Sequence, residues 1–299
     1  TIQCPSCGNV ITCPDCDLPL THHRDGGKAI CHYCDYQIGT PQTCPKCSFD
    51  GIRFSGLGTQ RLEVEVQQRF PKATIARMDS DTMRKPGSHE RVFTEFREGR
   101  VDILLGTQMI AKGLDFPNVL LVGVINADSA LHFPDFRAAE RTFQLVTQVA
   151  GRTGRGEKIG HVMVQTFSPD HPSILAASKH DFIGFATEEL TKREQFGYPP
   201  FGFIARVIMR GPDLAEVEEF AESFVKKLQA TRKQQGIDCR ILGPAPPPLA
   251  KLRGKYRFHA LMMTTQAEPL NRLLVRTVVD VKPPKDVQYV IDIDPLDTL

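Results

Sequence analysis

The sequence predicts an α/β protein in three parts, and three observations support this fold class. Eight of the nine cysteines form four Cys-x-x-Cys pairs at the start of the chain. β-like apolar runs then alternate with amphipathic stretches, and a second set of strand and helix patterns follows Tyr-Pro-Pro at 198–200. We therefore predict a Cys-rich module at 1–54, a parallel sheet with helices on both faces at 55–196, and a C-terminal α/β sandwich domain at 197–299.

The bulk composition limits the classes of protein and partner. The 299 residues are 41% hydrophobic, which is enough for two or three cores. A net charge of +2 does not by itself indicate nucleic acid, although residues 197–299 lean basic, with fifteen Lys and Arg against twelve Asp and Glu. The longest apolar run, 119–125, is far shorter than the roughly 20 residues that cross a bilayer, so we expect no membrane partner. Because Thr1 is not a start methionine, we expect the C-terminal piece of a longer polypeptide.

The four Cys-x-x-Cys pairs indicate two closed zinc sites of four thiolates each. Disulfides would not produce four such repeats in this space, and redox catalysis needs only one. Fourteen residues separate Cys16 from Cys31, close to the zinc-ribbon spacing of roughly 15 to 20. We therefore expect one zinc on the inner pairs and one on the outer pairs. The inner ligands are Cys13, Cys16, Cys31 and Cys34, and the outer ligands are Cys4, Cys7, Cys44 and Cys47.

The other candidate ligands in this module are histidines. His22, His23 and His32 could compete for metal, but beside eight thiolates we interpret them as exposed hairpin residues. Cys239 stands alone and is expected to be a small apolar residue. Because the module is short of aliphatic residues, we expect chelation to unfold residues 1–50 and spare the rest. So many thiols with metal-ligand spacing predict a reducing cytoplasmic location.

The middle part shows strand and helix patterns in alternation. The expected strands are RFSG, TIARMD, DILLGT, VLLVGVINAD and HVMVQTF. The expected helices include TQRLEVEVQQRF, HERVFTEFREG and the segment 172–195. This order is typical of a parallel sheet covered by helices on both faces.

The last part repeats this alternation on a smaller scale. The expected strands are FIARVIMRG, CRILG, RFHALMMTT and VQYVIDID. Helices are expected at 213–235 and 267–280, and the prolines at 199 and 200 mark the boundary before this domain.

The stretch QVAGRTGRG, residues 148–156, places Arg152 and Arg155 in a glycine-rich turn. Such a turn brings the backbone close to a ligand, and two guanidinium groups suit a triphosphate. The alternative is that both arginines end a helix and pair with surface carboxylates, which would give the glycines no purpose. A P-loop that would hold the triphosphate is absent, since the nearest candidate, Gly26-Gly27-Lys28, continues with Ala29.

A second glycine-rich turn, SGLGTQRLE at 55–63, opens an expected helix. The exposed amides of a helix start and the hydroxyl of Thr59 are able to bind a phosphate of DNA. An ordinary capped helix start explains the same residues equally well.

Two of these stretches resemble motifs of helicase superfamily 2, namely LLGTQMIAKGLDFPNV at 104–119 and QVAGRTGRG. The resemblance implies the second RecA-like lobe of such a motor. It implies that Thr107 touches a DNA phosphate and that Gly113 and Asp115 contact the nucleotide. It also implies three catalytic residues that face ATP from across a cleft, namely Gln148, Arg152 and Arg155. Of these, Arg152 and Arg155 are also implied to contact the nucleotide.

The whole chain resembles the primosomal replication-restart helicases, the PriA family, also called primosomal protein N′. The resemblance rests on the four Cys pairs followed by GLGTQRLE, MDSDT and the two motor motifs, and on YPPF, LGPAPPPLAKLRGKYRFHALM and IDIDP. It implies an ATP-dependent 3′–5′ DNA helicase that recognises stalled forks and D-loops and starts primosome assembly. It implies ATP and Mg²⁺ as cofactors of the full-length protein, with this chain alone inactive because the P-loop lobe is absent. The implied partners are DNA, single-stranded-DNA-binding protein and other primosome proteins, in the nucleoid.

A basic stretch near the end of the chain is a further candidate for DNA binding. Four of the seven residues at 251–257 are cationic, and Tyr256 offers an aromatic face to a base. The cations are Lys251, Arg253, Lys255 and Arg257. They are expected to bind DNA or a protein partner, and the alternative is a solvated basic loop.

Two functions of another class remain open from the sequence. The first is a DNA-binding primosome assembly scaffold that has no ATPase, in which the Cys-rich module and the C-terminal domain do the work. The second is a zinc-ribbon transcription or translation factor, which the two motor motifs argue against.

Overall fold

The structure, a computed structural model, describes residues 2–14, 18–23, 27–31, 36–51, 59–79, 87–107, 110, 118–151, 160–279 and 281–296. The chain divides into two compact units. Unit 1 comprises Thr1–Phe54, His132–Ala138 and Ile183–Leu299, and unit 2 comprises Ser55–Leu131 and Ala139–Phe182. The Cys-rich module and the C-terminal domain, predicted as separate parts, therefore lie in one unit, and the boundaries predicted at 54 and 196 stay predictions.

The Cys-rich module contains a small antiparallel sheet. Its strands are β1 (Thr21–His23), β2 (Lys28–Ile30) and β3 (Gln37–Gly39). Thr21 pairs with Ile30, and Ala29 pairs with Ile38, so β2 is the central strand. Strands β1 and β2 form the hairpin that the sequence predicts between the inner Cys pairs.

Unit 2 has the alternation of strands and helices that the sequence predicts. Its strands are β4 (Ile75–Met78), β5 (Ile103–Gly106), β6 (Leu121–Val124) and β7 (His161–Val164). β4 pairs with β5 and β6 pairs with β7, and both pairs are parallel, which confirms the mixed α/β class with parallel sheets. The expected strand RFSG lies outside the described residues.

Six helices of the described chain begin before residue 183. They are α1 (Thr59–Arg69), α2 (Ser88–Arg97), α3 (Asp128–Leu131), α4 (Ala138–Ala150), α5 (Pro172–Ser178) and α6 (Phe182–Phe196). The helical segments expected at 172–195 are the two helices α5 and α6. They are separated near His180, whose φ of 52° lies in the left-handed region that a helix cannot contain.

The C-terminal elements follow the predicted order. They are β8 (Phe203–Gly211), α7 (Leu214–Gln235), β9 (Arg240–Ala245), β10 (Lys251–Leu252), β11 (Lys255–Thr264), α8 (Ala267–Val278) and β12 (Gln288–Ile293). The strands form an antiparallel sheet in the order β10-β11-β8-β12, and β9 also pairs with β11. Asp213 caps the start of α7 and Gly236, with a φ of 60°, ends it, which explains why its bounds were readable from the sequence.

Both faces of this sheet carry apolar side chains. On one face, Val207 and Met209 pack against Phe224 of α7 and Leu273 of α8. The second cluster contains Ile204, Leu242, Leu261 and Met263 of the sheet together with Ile2, Ile11, Leu18 and Leu20 of the Cys-rich module. The module therefore shares a core with the C-terminal sheet and does not rely on metal alone. No helix among the described residues is both long enough and apolar enough to cross a membrane.

Candidate metal centre and motor motifs

The first cysteine of each Cys-x-x-Cys pair closes a backbone turn of the same kind. In each turn, the amide of the first cysteine donates a hydrogen bond to the carbonyl oxygen five residues later. The bonds join Cys4 to Asn9, Cys13 to Leu18, Cys31 to Tyr36 and Cys44 to Phe49, with N···O distances of 2.8 to 2.9 Å. We call these the Cys turns. In the outer two, Gly8 and Ser48 have φ values of 71° and 58°, which let the chain double back beside the thiols.

The outer Cys turns bring four thiols together as a metal site requires. The sulfurs of Cys4, Cys7, Cys44 and Cys47 all lie within 4.8 Å of one another. The Sγ distance is 3.6 Å from Cys4 to Cys47 and 3.7 Å from Cys7 to Cys44. Tetrahedral zinc with Zn–S bonds of about 2.3 Å requires neighbouring sulfurs about 3.8 Å apart, and the two shortest sulfur distances of the cluster are close to this spacing.

The ionisation of the outer thiols differs within one Cys turn. Desolvation opposes ionisation of Cys44, yet the backbone amides of Cys47 and Lys46 lower its pKa to about 7. The amide of Phe49 lowers the pKa of Cys47, but hydrogen bonds among the thiols and desolvation together raise it to about 12. A divalent cation is the charge that would hold all four sulfurs as thiolates.

The inner Cys turns are described in part. Cys13 and Cys31 are each 1% exposed and belong to the core shared with the C-terminal sheet. Cys16 and Cys34, their expected co-ligands, lie outside the described residues. The zinc site predicted on the inner pairs therefore stays a prediction.

The remaining candidate ligands of the sequence have other environments. His22 Nδ1 lies 2.9 Å from Thr40 Oγ1. His32 and the side chain of His23 lie outside the described residues. Cys239 is buried, and burial raises the pKa of its thiol to about 11, as expected for a small core residue that carries no charge.

Thr107, the predicted phosphate contact, directly follows the carboxyl end of β5 and is exposed. Ligands of open α/β sheets bind at the carboxyl ends of the strands, so this position suits the predicted role. The preceding residue must be glycine, because a Cβ on Gly106 would lie 2.6 Å from the carbonyl oxygen of Met78. Gly113 and Asp115, the predicted nucleotide contacts, lie outside the described residues.

The motif that contains the two arginines begins at the end of α4. Gln148 is exposed in the last turn of this helix, and the amide of Gly151 donates to the carbonyl of Thr147. Arg152 and Arg155 lie outside the described residues, so their predicted roles are untested.

Thr59 is the first residue of α1, and its hydroxyl has a protein partner. Thr59 Oγ1 donates to Asp79 Oδ2 over 2.7 Å. Asp79 is buried and also contacts the guanidinium of Arg77, whose Nη1 lies 3.3 Å away. Arg77 Nε lies 3.2 Å from Glu63 Oε2, so this network fastens the start of α1 to the end of β4. This hydrogen bond is a structural contact, and both the capped start and phosphate binding at Thr59 stay predictions.

The predicted DNA-binding stretch forms the hairpin of β10 and β11. Lys251 Nζ lies 4.2 Å from the ring centre of Tyr256 and 3.1 Å from its hydroxyl oxygen. Lys251 and Arg253 are exposed, and Lys255 is half-buried with its Nζ 3.4 Å from Gln288 Oε1. The face that Tyr256 was expected to offer to a base is therefore occupied by a lysine ammonium group.

Arg257 differs from the other cations of this stretch because it is buried. Its Nη1 donates to the carbonyl oxygen of Leu249 over 3.4 Å, and its backbone amide donates to Ala250. The side chain therefore braces the loop that precedes the hairpin. The exposed charge at this site comes from Lys251 and Arg253, while Lys255 is half-buried.

One further group of residues, at His132–Ala138, belongs to none of the sequence motifs. His132, Asp135 and Phe136 are buried, and Phe136 stacks on Tyr198 with ring centres 4.7 Å apart. In the sequence, this group contains one proline and two phenylalanines at 133–136, and these residues show neither helical nor strand periodicity. A partner as distant along the chain as Tyr198 cannot be found from local pattern.

Three family models match successive parts of the chain. The PriA DNA helicase Cys-rich region domain matches residues 13–38, and the helicase conserved C-terminal domain matches residues 56–157. The primosomal protein N C-terminal domain matches residues 194–296.

Curated relatives match almost all of the chain. It is 45% identical over 297 residues to the replication restart protein PriA of Bacillus subtilis (strain 168), a match that covers 98% of the chain and 36% of the relative. It is 39% identical to the proteins of the same name in Synechocystis sp. and Treponema pallidum, covering 35% and 45% of these relatives. The chain therefore spans less than half the length of the relatives it matches.

Proposed function

Because the chain belongs to the PriA family of replication restart proteins, we propose that it is the C-terminal part of an ATP-dependent DNA helicase that restarts replication. The observation that carries this proposal is the similarity over 98% of the chain, through all three matched domains. The full-length protein moves 3′ to 5′, recognises stalled forks and D-loops, and initiates primosome assembly.

In this proposal the chain supplies one side of the ATP site. Gln148, Arg152 and Arg155 face the triphosphate, and Gly113 and Asp115 contact the nucleotide. Charge develops on the γ-phosphoryl group during transfer, and a guanidinium group from a second lobe stabilises it. The P-loop and the Mg²⁺ ligands belong to the other lobe of the full-length protein, so residues 1–299 alone hydrolyse no ATP.

The DNA contacts proposed for this chain are Thr59 and Thr107 on the motor part and the hairpin cations Lys251, Arg253, Lys255 and Arg257. Position supports Thr107, which is exposed at a strand end, and exposure supports Lys251 and Arg253. The buried contacts of Arg257 and the bond from Thr59 to Asp79 make these two the weaker members.

Two zinc ions per chain complete the proposal. The outer cysteines bind one, supported by sulfur distances that fit a tetrahedral ion. Cys13, Cys16, Cys31 and Cys34 bind the other, supported by the Cys turns that Cys13 and Cys31 share with the outer site. The proposed partners are forked and single-stranded DNA, single-stranded-DNA-binding protein and other primosome proteins, in the cytoplasm at the nucleoid.

The test uses the full-length protein and forked DNA. We expect ATP hydrolysis that DNA stimulates and unwinding of the fork, while residues 1–299 alone bind DNA without hydrolysis. A full-length protein that binds forks but neither hydrolyses ATP nor unwinds them would instead be an assembly scaffold.

A further inference from the structure

The segment His132–Ala138, which we call the docking segment, belongs to unit 1, whereas the chain on both sides of it belongs to unit 2. Immediately before it, α3 is fixed within unit 2. Asp128 of α3 is buried and accepts hydrogen bonds from Thr166 Oγ1 and from the amide of Phe167, both over 2.9 Å. Within the motor sequence, the docking segment therefore packs in the core of unit 1, and the residues on both sides of it belong to unit 2.

The centre of the docking segment is the ring of Phe136, which is 8% exposed. It lies parallel to the ring of Tyr198, with an interplanar angle of 5°. The guanidinium carbons of Arg137 and Arg193 lie 4.0 and 5.2 Å from its ring centre. Arg193 is itself fixed, since its Nε lies 2.8 Å from Glu189 Oε1. The stacking and cation–π contacts stabilise the ring in this position.

The docking segment is also held at its start and within its turn. The amide group of Gln3 donates to His132 Nε2 over 3.1 Å, in a buried contact with the Cys-rich module. Asp135 is 1% exposed, and its Oδ1 accepts a hydrogen bond from the amide of Arg137 over 2.8 Å. Its carbonyl accepts from the amide of Ala138, the residue at which α4 begins.

The helix that leaves the docking segment ends at the motor motif. α4 runs without interruption from Ala138 to Ala150 and contains Gln148 in its last turn. At a rise of about 1.5 Å per residue, a helix of this length extends about 20 Å as one rigid element. A displacement of its first turn is therefore transmitted along the helix to Gln148.

We propose that Phe136 is a positioning residue for ATP hydrolysis, one that fixes the start of α4 in the core of the Cys-rich module and the C-terminal sheet. It touches no nucleotide and acts only through α4. The inference rests on the proposed function, because it requires that Gln148, Arg152 and Arg155 face ATP.

A purely structural role predicts a different result from a positioning role. If Phe136 only fills space, its replacement lowers stability in the same way as the replacement of any buried phenylalanine. Phe220 of α7 is the matched control, because it is 7% exposed, contacts Phe224 and Tyr289 and packs in the cluster formed by α7, α8 and the C-terminal sheet. Only a positioning role lowers kcat beyond the level of that control.

The experiment compares Phe136→Leu with Phe220→Leu in the full-length protein. We expect similar melting temperatures, and for Phe136→Leu a fall in DNA-stimulated kcat of roughly ten- to a hundred-fold with little change in the KM for ATP. Amide hydrogen exchange in residues 139–150 should quicken in Phe136→Leu alone. Tyr198→Leu removes the same stack from its other side and serves as the second variant if Phe136→Leu does not fold. Tyr198→Phe keeps the ring and should retain kcat.

The outcomes separate the two proposals. If the wild-type protein shows no DNA-stimulated hydrolysis, the proposed function fails. If the wild-type protein is active and Phe136→Leu and Tyr198→Leu have the same kcat as Phe220→Leu, the positioning role alone is overturned.

Discussion

Cys4 Sγ lies 3.6 Å from Cys47 Sγ, although 43 positions separate the two residues in the sequence. Two turns at opposite ends of the Cys-rich module therefore meet at one point. The contact places the first and the last Cys-x-x-Cys pairs in one cluster, as the sequence predicts for the outer ligand set.

The first prediction concerns the number of metal ions. Cys47→Ser should lower the zinc content from two ions per chain to one, because three thiolates and a hydroxyl bind zinc far more weakly than four thiolates. Metal analysis of the purified protein measures this directly. Cys239→Ser is the control and should retain both ions, since Cys239 lies outside the cluster. Full zinc in Cys47→Ser would contradict the outer site.

The second prediction compares the two zinc sites. Cys13→Ser should lower the melting temperature more than Cys47→Ser, because Cys13 is buried in the core that contains Ile204 and Leu261, whereas Cys47 is exposed. Loss of the inner ion should therefore destabilise the C-terminal sheet as well, which revises the expectation that chelation spares the rest of the chain. Thermal unfolding and limited proteolysis test it, and equal melting temperatures would argue against the shared core.

The third prediction concerns the start of α1. Thr59→Ala should cost about 1 kcal/mol of unfolding free energy, the typical value of one hydrogen bond, because it removes the donor to Asp79. Thr59→Ser keeps the hydroxyl and should lose much less. Denaturant unfolding gives the free energies, and a parallel DNA titration shows whether the same hydroxyl also binds phosphate. Equal stability of the Ala and Ser variants would contradict a stabilising role for the hydrogen bond from Thr59 to Asp79.

The fourth prediction concerns the hairpin of β10 and β11. Replacing Lys251, Arg253 and Lys255 by Ala should weaken single-strand binding. It should also make the slope of log K against log salt concentration shallower by about 2, because each phosphate that the protein no longer neutralises changes that slope by roughly 0.7. The matched control replaces three exposed lysines elsewhere in the same domain, Lys226, Lys233 and Lys285. Binding curves at several salt concentrations give the two slopes. Equal slopes for the two triple variants would show that the hairpin is only a solvated basic surface.

The fifth prediction concerns the arginine motif in the full-length protein. Arg155→Ala should reduce DNA-stimulated kcat by about 10³ to 10⁵, the range for arginine fingers, with a modest change in ATP affinity. Arg152→Ala should affect both quantities if it contacts the γ-phosphate before the reaction. Arg155→Lys should restore little, because a point charge does not replace a planar guanidinium. Near-wild-type hydrolysis by folded Arg155→Ala would leave the motif as a structural turn.

The sequence predicted best those elements whose signals are local. Helix α7 begins at a capping Asp213 and ends before a left-handed Gly236, so both bounds could be read from single residues. The Cys spacing likewise predicted which thiols meet in the outer site, because two-residue gaps and a ribbon-length loop leave few other pairings.

What the sequence did not predict depends on contacts between distant residues. Gln3 and His132 are 129 positions apart, and neither belongs to a motif. The shared core of the Cys-rich module arises because Ile2 and Leu20 meet the sheet residues Ile204 and Leu261, while local composition made the module look coreless. Tertiary packing of this kind leaves no periodic trace in either partner.

The repeated Cys turns have a consequence for the order in which the module folds. Four similar turns can in principle pair in three ways, and the turns alone do not distinguish among them. The pairing of Thr21 with Ile30 favours the predicted one, because Cys13 and Cys31 lie on either side of this short hairpin. Closing that loop first costs less chain entropy than closing the longer loop between Cys7 and Cys44 directly. We therefore expect nested assembly from the inside outwards, in which hairpin formation steers each thiol away from the wrong partner before the ends meet.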